Sequence, residues 1–301
     1  MQGSLFRRWI IGAAMVMLAL VAGCSVALKI TYNQGPTLLY WWMDGYVDFD
    51  DDQAPRVRQL IDQWFQWNRQ DQLPDYAQLL QRAQTQVLDP VLTPQAMCGM
   101  AQEVKRRTML AYDHAVPSLA EVALTLTPEQ LKHLEKKFEK NNAKYRDEFM
   151  GPRREDRIKA NVKKAVERFE LVYGSVDDAQ HQRIVQAVSA SPYDPELWLA
   201  ERRLVQQEVL QALRQLQAAK AARAEPAALL GQAQAALRQV AQHVEQSPRE
   251  AYRPQQQRVW DYNCAFAAQV HNTMSPAQRQ YAQRKLKRWE DDVRALNAAP
   301  R

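Results

Sequence analysis

Glycine is scarce, at 9 of 301 residues. That counts against glycine-rich phosphate loops and against β-rich folds, whose tight turns call for it. No run alternates convincingly with period two, so no segment reads as a half-buried strand. Neither His-Glu-x-x-His nor Gly-x-Ser-x-Gly occurs, and His114, His133, His181, His243 and His271 are scattered, as surface or cap residues would be. The acidic run Asp48, Asp50, Asp51 and Asp52 lacks the glycine and the spaced ligands of an EF-hand loop. It reads more simply as a solvated helix N-terminus, where carboxylates suit the macrodipole. No cofactor, metal or small-molecule substrate is implied by any motif.

The first feature present is an address. Arg7 and Arg8 form a basic segment and Trp9 to Val21 an apolar one, a pairing typical of a bacterial secretory signal. An uncleaved anchor is the alternative, but the run is short for a span of ~20 residues. Val21-Ala22-Gly23-Cys24 resembles a lipobox, in which Cys24 is acylated, palmitate included, and becomes the mature N-terminus. Ser25 resembles the residue found there in lipoproteins sent on to the outer membrane. Residues 1–23 are therefore expected to be a cleaved signal peptide and 24–37 a lipidated tether. The tether's dozen or so residues reach only ~40 Å when extended. Residues 38–301 form the periplasmic domain, with a possible sub-boundary near 191–195.

Cleavage after residue 23 of 301 leaves 278 residues, enough for one large domain or two smaller ones. Hydrophobic content of 46% supplies a core. Of the three cysteines, lipid would consume Cys24. Two then remain in an oxidising compartment, which favours a Cys98–Cys264 disulfide over two buried thiols.

Along the mature chain the punctuation is helical. Val57, Leu60, Ile61, Trp64 and Trp67 recur with helical period over 54–70, Leu73-Pro74 is expected to break the chain, and Asp89-Pro90 ends the next helix. Leu126-Thr127-Pro128-Glu129-Gln130, Val176-Asp177-Asp178-Ala179-Gln180 and Met274-Ser275-Pro276-Ala277-Gln278 share one pattern. An apolar residue precedes Thr, Asp or Ser, and Gln follows three later. This is a capping box, in which side chain and backbone satisfy each other at a helix start. Leu92-Thr93-Pro94 is a half box, with Ala96 in place of Gln. Ser191-Pro192-Tyr193-Asp194-Pro195 opens a long helix, and the Gln- and Ala-rich text of 206–246 breaks at Glu225-Pro226 and ends at Ser247-Pro248. The chain is predicted to be all-α, with about ten amphipathic helices in antiparallel neighbours.

Charge and aromatics are unevenly spread. Residues 131–170 hold 13 Lys/Arg against 8 Asp/Glu, whereas 44–75 hold 8 Asp against 3 Arg. The basic stretch, including Lys136, Lys137, Lys140 and Lys144, is either an ordinary solvated face or a surface for anionic groups or unfolded chains. Tyr40, Trp41, Trp42, Asp44, Tyr46, Trp64 and Trp67 form an aromatic segment, either a core cluster or a membrane-facing belt. Paired carboxylates for glycoside hydrolysis stay open as a third reading, since Asp44 has many acidic neighbours in sequence.

The run Cys24-Ser25, Tyr32-Asn33, Tyr40-Trp41-Trp42-x-Asp44-Gly45-Tyr46, Trp64-x-x-Trp67 and Leu73-Pro74-x-Tyr76 resembles a family of proteobacterial lipoproteins whose domain has no assigned function. The resemblance implies an envelope address and a helical fold, and carries no catalytic residues. The repeated Leu-Thr-x-x-Gln motif at 126–130, with its partner at 274–278, resembles small periplasmic stress chaperones of the Spy type. The expectation is a non-enzymatic, lipid-anchored outer-membrane protein that faces the periplasm and binds envelope proteins, with no nucleic acid as partner. The alternative is a cell-wall-active hydrolase using carboxylates near 40–76.

Overall fold

The structure is a computed structural model that describes residues 32–298 apart from residue 152; the expected signal peptide, Cys24 and most of the tether lie outside the described residues. Eleven α-helices and one π-helical turn form among the described residues, with no strand. The first half holds α1 (Gly35–Val47), α2 (Gln53–Trp67), α3 (Leu73–Gln86), α4 (Pro94–Ala123) and α5 (Pro128–Phe149). The second holds α6 (Arg154–Tyr173), α7 (Asp178–Ser189), α8 (Pro195–Ala221), α9 (Pro226–Glu245), α10 (Arg253–His271) and α11 (Pro276–Ala298).

Helix starts follow the capping chemistry. Thr127 and Asp177 close full boxes with Gln130 and Gln180. Ser275 and Gln278 exchange the same two bonds. Thr93 accepts the Ala96 N–H at 3.1 Å without a return bond, since alanine has no group to return it.

Leu73-Pro74 does not break the chain. A π-helical turn, Asn68–Gln72, carries α2 directly into α3, and the Leu73 N–H reaches back to the Asn68 carbonyl. Proline lacks an N–H and crowds the preceding turn. The wider turn accommodates it without ending the helical path. The buried Asn68 side chain fixes this turn by accepting from the Tyr32 hydroxyl at 3.1 Å and donating to Tyr76 at 3.3 Å.

Three apolar clusters fill the interior. Val57, Leu60, Ile61 and Phe65 of α2 join Leu73, Tyr76 and Ala77 of α3 and Val293 and Leu296 of α11. Leu131, Leu134 and Phe138 of α5 meet Leu210, Leu213 and Leu216 of α8 and Ala233 of α9. Val162, Ala165 and Tyr173 of α6 meet Ile184, Val270, Met274 and Leu286. Elements distant in sequence therefore share cores: α3 packs on α11, α9 on α4, and α10 on α4. The Cys98–Cys264 disulfide ties α4 to α10 with Cα atoms 5.2 Å apart.

Candidate binding surface

The predicted capping glutamines do more than cap. Gln180 donates to the Thr273 carbonyl and to Gln278, both at 3.0 Å. Gln278 returns bonds to the Ser175 carbonyl at 2.7 Å and to Gln180 at 2.9 Å. Each glutamine thus caps its own helix and fastens the loop entering the other. The same arrangement recurs between Gln53 and Gln130. Gln53 donates to the Thr125 carbonyl at 3.0 Å, Gln130 to the Asp48 carbonyl at 2.9 Å, and the two amides bond each other. Asp50 plays the capping part for Gln53: its carboxylate accepts the Gln53 N–H at 2.8 Å, and its own N–H goes to the Gln53 amide oxygen at 3.2 Å. The acidic run is therefore a fourth box, which sequence reading took only for a charged helix N-terminus. Phe49 ahead of it and Gln53 three residues on were the available signal.

The aromatic segment divides by helix phase. Tyr40 and Tyr46 are buried on the inner side of α1. Trp64 donates its indole N–H to the Ala111 carbonyl at 3.0 Å, and Trp67 stacks on His114 with ring centres 3.6 Å apart. Trp42 is half-buried beside Tyr46, ring centres 5.1 Å apart. Asp44 accepts the Phe49 N–H at 3.0 Å and so closes the loop after α1. Trp41 stands apart at 61% exposed, with Leu38 one turn earlier at 46%.

Of the four lysines, Lys137 alone is brought against this segment by a described contact, its ammonium 5.4 Å from the Tyr46 ring centre. Lys136 and Lys140 lie exposed on α5 and Lys144 is half-buried. The sequence-predicted surface is thus not one continuous patch. Two arginines also meet these aromatics: Arg58 lies 3.4 Å over Tyr40 and Arg69 5.2 Å over Tyr32.

A second surface went unrecognised in the sequence. Between α6 and α7 lies an open groove of about 680 Å³, floored by Ile158, Val162, Val166 and Val185. Its rim carries Glu155, Lys159, Lys163, Glu167, Glu170 and His181. Ile158, Val162 and Val166 pack on the cluster beneath. Helix α7 covers them on one side only, which periodicity cannot reveal because the extent of cover depends on the neighbour.

Carboxylates here are matched to arginines. Arg107, 1% exposed, bridges Asp75 at 2.6 Å and Glu103 at 2.6 Å, and this contact holds the Glu103 carboxyl down at about 2. Arg249 likewise joins Glu201, at 2.7 Å, to Glu208, which also meets His243 at 3.0 Å. Among the described residues no group of three or more His, Cys, Asp and Glu could hold a metal ion. No described helix is long and apolar enough to cross a membrane.

Helices, caps and an aromatic first hairpin define an all-α protein. Residues 45–225 match the family of unknown function DUF6279, and the chain belongs to that family. No curated protein and no solved structure matches it.

Proposed function

We propose that this chain is a non-enzymatic lipoprotein of the bacterial outer membrane, facing the periplasm, that binds other envelope proteins in a chaperone-like or scaffold role. The observation that carries the binding is the α6–α7 groove, with its four-residue aliphatic floor and a rim bearing charges of both signs. A floor of this kind accepts an apolar segment by the hydrophobic effect, and mixed rim charges suit polypeptide better than a single-signed ligand. The carboxylates near the aromatic segment favour binding over hydrolysis. Asp44 closes a loop, Asp50 caps a helix and Asp75 pairs with Arg107, so each already holds the fold together.

The test is aggregation of a urea-unfolded outer-membrane protein on dilution, with and without the purified lipoprotein. Wild type should suppress aggregation. Val166→Asp and Val185→Asp should lose that effect while keeping wild-type helicity by circular dichroism. Equal suppression by both variants, or none by wild type, would overturn the reading.

A further inference from the structure

Trp41 and Leu38 present an apolar edge of α1 that no described part of the chain covers; indole is large enough that leaving it 61% exposed needs a reason. The length of chain ahead of that edge supplies one. Tyr32 follows Cys24 by eight residues, which span no more than about 28 Å when fully extended. If Cys24 holds a lipid, the start of α1 cannot leave the vicinity of the bilayer. Indole rings favour the headgroup region, where their apolar body and polar N–H are both accommodated. A leucine one turn away on the same helix face reaches the acyl boundary beneath.

The charges around α1 are densest at the end away from the tether. Arg69 sits on the ring of Tyr32 at the tethered end of the hairpin, and Arg58 on Tyr40 midway along α1. Asp48, Asp50, Asp51 and Asp52 gather at the opposite end, ~20 Å away along a 13-residue helix. Asp62 of α2 and Asp71 of the π-helical turn are exposed on the tethered side of Arg58, so that end carries charges of both signs. An anionic headgroup layer therefore repels the four-aspartate loop more than the mixed-charge end, turning the acidic loop away from the membrane.

We infer that the Leu38–Trp41 edge of α1 is a lipid-docking surface that seats the domain on the headgroups of the membrane holding its anchor. The inference rests on the lipoprotein reading and goes beyond it, because an anchor alone leaves the domain free to tumble on its tether. Docking fixes which face of the protein meets the periplasm.

The experiment uses the mature protein purified from the envelope. It is reconstituted in vesicles of phosphatidylethanolamine with a minority of phosphatidylglycerol, containing lipid doxyl-labelled near the headgroup. Intact mass establishes whether Cys24 is acylated, and tryptophan quenching reports contact. Wild type should be quenched. Trp41→Phe should lose most of that quenching, while Trp289→Phe, a change at a half-buried indole on α11, should keep it. Leu38→Asp should weaken quenching of the wild-type indoles without altering helicity. Both substituted positions on α1 are exposed, so folding is not at stake. Acylated protein whose quenching is indifferent to Trp41 would overturn the docking and leave the anchor standing. Protein that is not acylated at Cys24 would overturn both.

Discussion

Replacing Gln180 by leucine removes one side chain and disturbs three neighbours at once. The Thr273 carbonyl loses a donor, the Asp177 N–H loses its acceptor, and the Gln278 amide loses its partner. Gln180 is 2% exposed, so water does not simply replace these bonds. Each typical intramolecular hydrogen bond contributes about 1 kcal/mol net, and leaving a buried group unsatisfied costs ~1–3 kcal/mol. The single change should therefore destabilise the fold by about 2–4 kcal/mol. Gln278→Leu removes the same two amide–amide bonds from the other side. The double variant cannot lose them twice, so its destabilisation should fall short of the sum by about 2 kcal/mol. The assay is a double-mutant cycle from urea unfolding followed by circular dichroism. A control cycle pairs Gln180 with Gln130, which share no partner, and should be additive within ~0.5 kcal/mol. Additivity within that margin for Gln180 and Gln278 would refute the pairing as an energetic unit.

Cys98→Ser should lower the melting temperature under non-reducing conditions while helicity at low temperature is kept. The positions are 166 residues apart, for which chain-entropy models give about 5 kcal/mol and measured disulfides typically ~2–4 kcal/mol; an unchanged melting point would dismiss the contribution. His271, fully buried, meets the Asp89 carbonyl through Nε2 at 2.7 Å and the Tyr173 hydroxyl through Nδ1 at 2.8 Å. Because a carbonyl only accepts, Nε2 carries the proton and Nδ1 accepts from tyrosine. Burial pushes the His271 pKa down, against the smaller upward pull of the Asp89 carbonyl. An unfolded histidine titrates near 6.5, so as pH falls below that value the unfolded chain takes up a proton first and stability drops. Urea midpoints should therefore decline from pH 7.5 to pH 5 in wild type and less steeply in His271→Gln; parallel slopes would refute the assignment.

What the sequence made legible was local. A capping box needs only a spacing of three residues, so the starts at Thr127, Asp177 and Ser275 could be read directly. The same spacing at Asp50 and Gln53 was hidden by the consecutive aspartates, whose shared charge suggested solvation first. Counting cysteines suggested which two would pair. Three things depended on tertiary packing and were not readable. Leu73-Pro74 looked like a break because proline usually ends a helix, and a π turn cannot be foreseen from composition. Tyr40 and Trp41 are adjacent in sequence, and only the placement of α1 on α2 and α5 buries one and exposes the other. The meeting of Gln180 with Gln278 spans 98 residues, and no local rule connects them.

The two glutamine pairs also account for the plan of the whole fold. Hairpins α1–α2 and α4–α5 are fastened by Gln53 and Gln130, and hairpins α6–α7 and α10–α11 by Gln180 and Gln278. Contacts repeat in the same order: α1 on α2, α1 on α5 and α2 on α4 correspond to α6 on α7, α6 on α11 and α7 on α10. Each four-helix unit contains an insertion that packs on the other unit. Helix α3, inserted in the first, lies on α11; α8 and α9, inserted in the second, lie on α5 and α4. Leu73, Tyr76 and Ala77 are buried in a cluster with Val293 and Leu296, and Leu210, Leu213 and Leu216 in one with Leu131, Leu134 and Phe138. Neither unit can shed its partner without exposing both sets of side chains. The Cys98–Cys264 bridge then joins α4 to α10, helices that hold equivalent places in the two units. The exchange leaves the α6–α7 face and the outer edge of α1 uncovered by either insertion, so the surfaces assigned to polypeptide and to lipid belong to different units of one interlocked body.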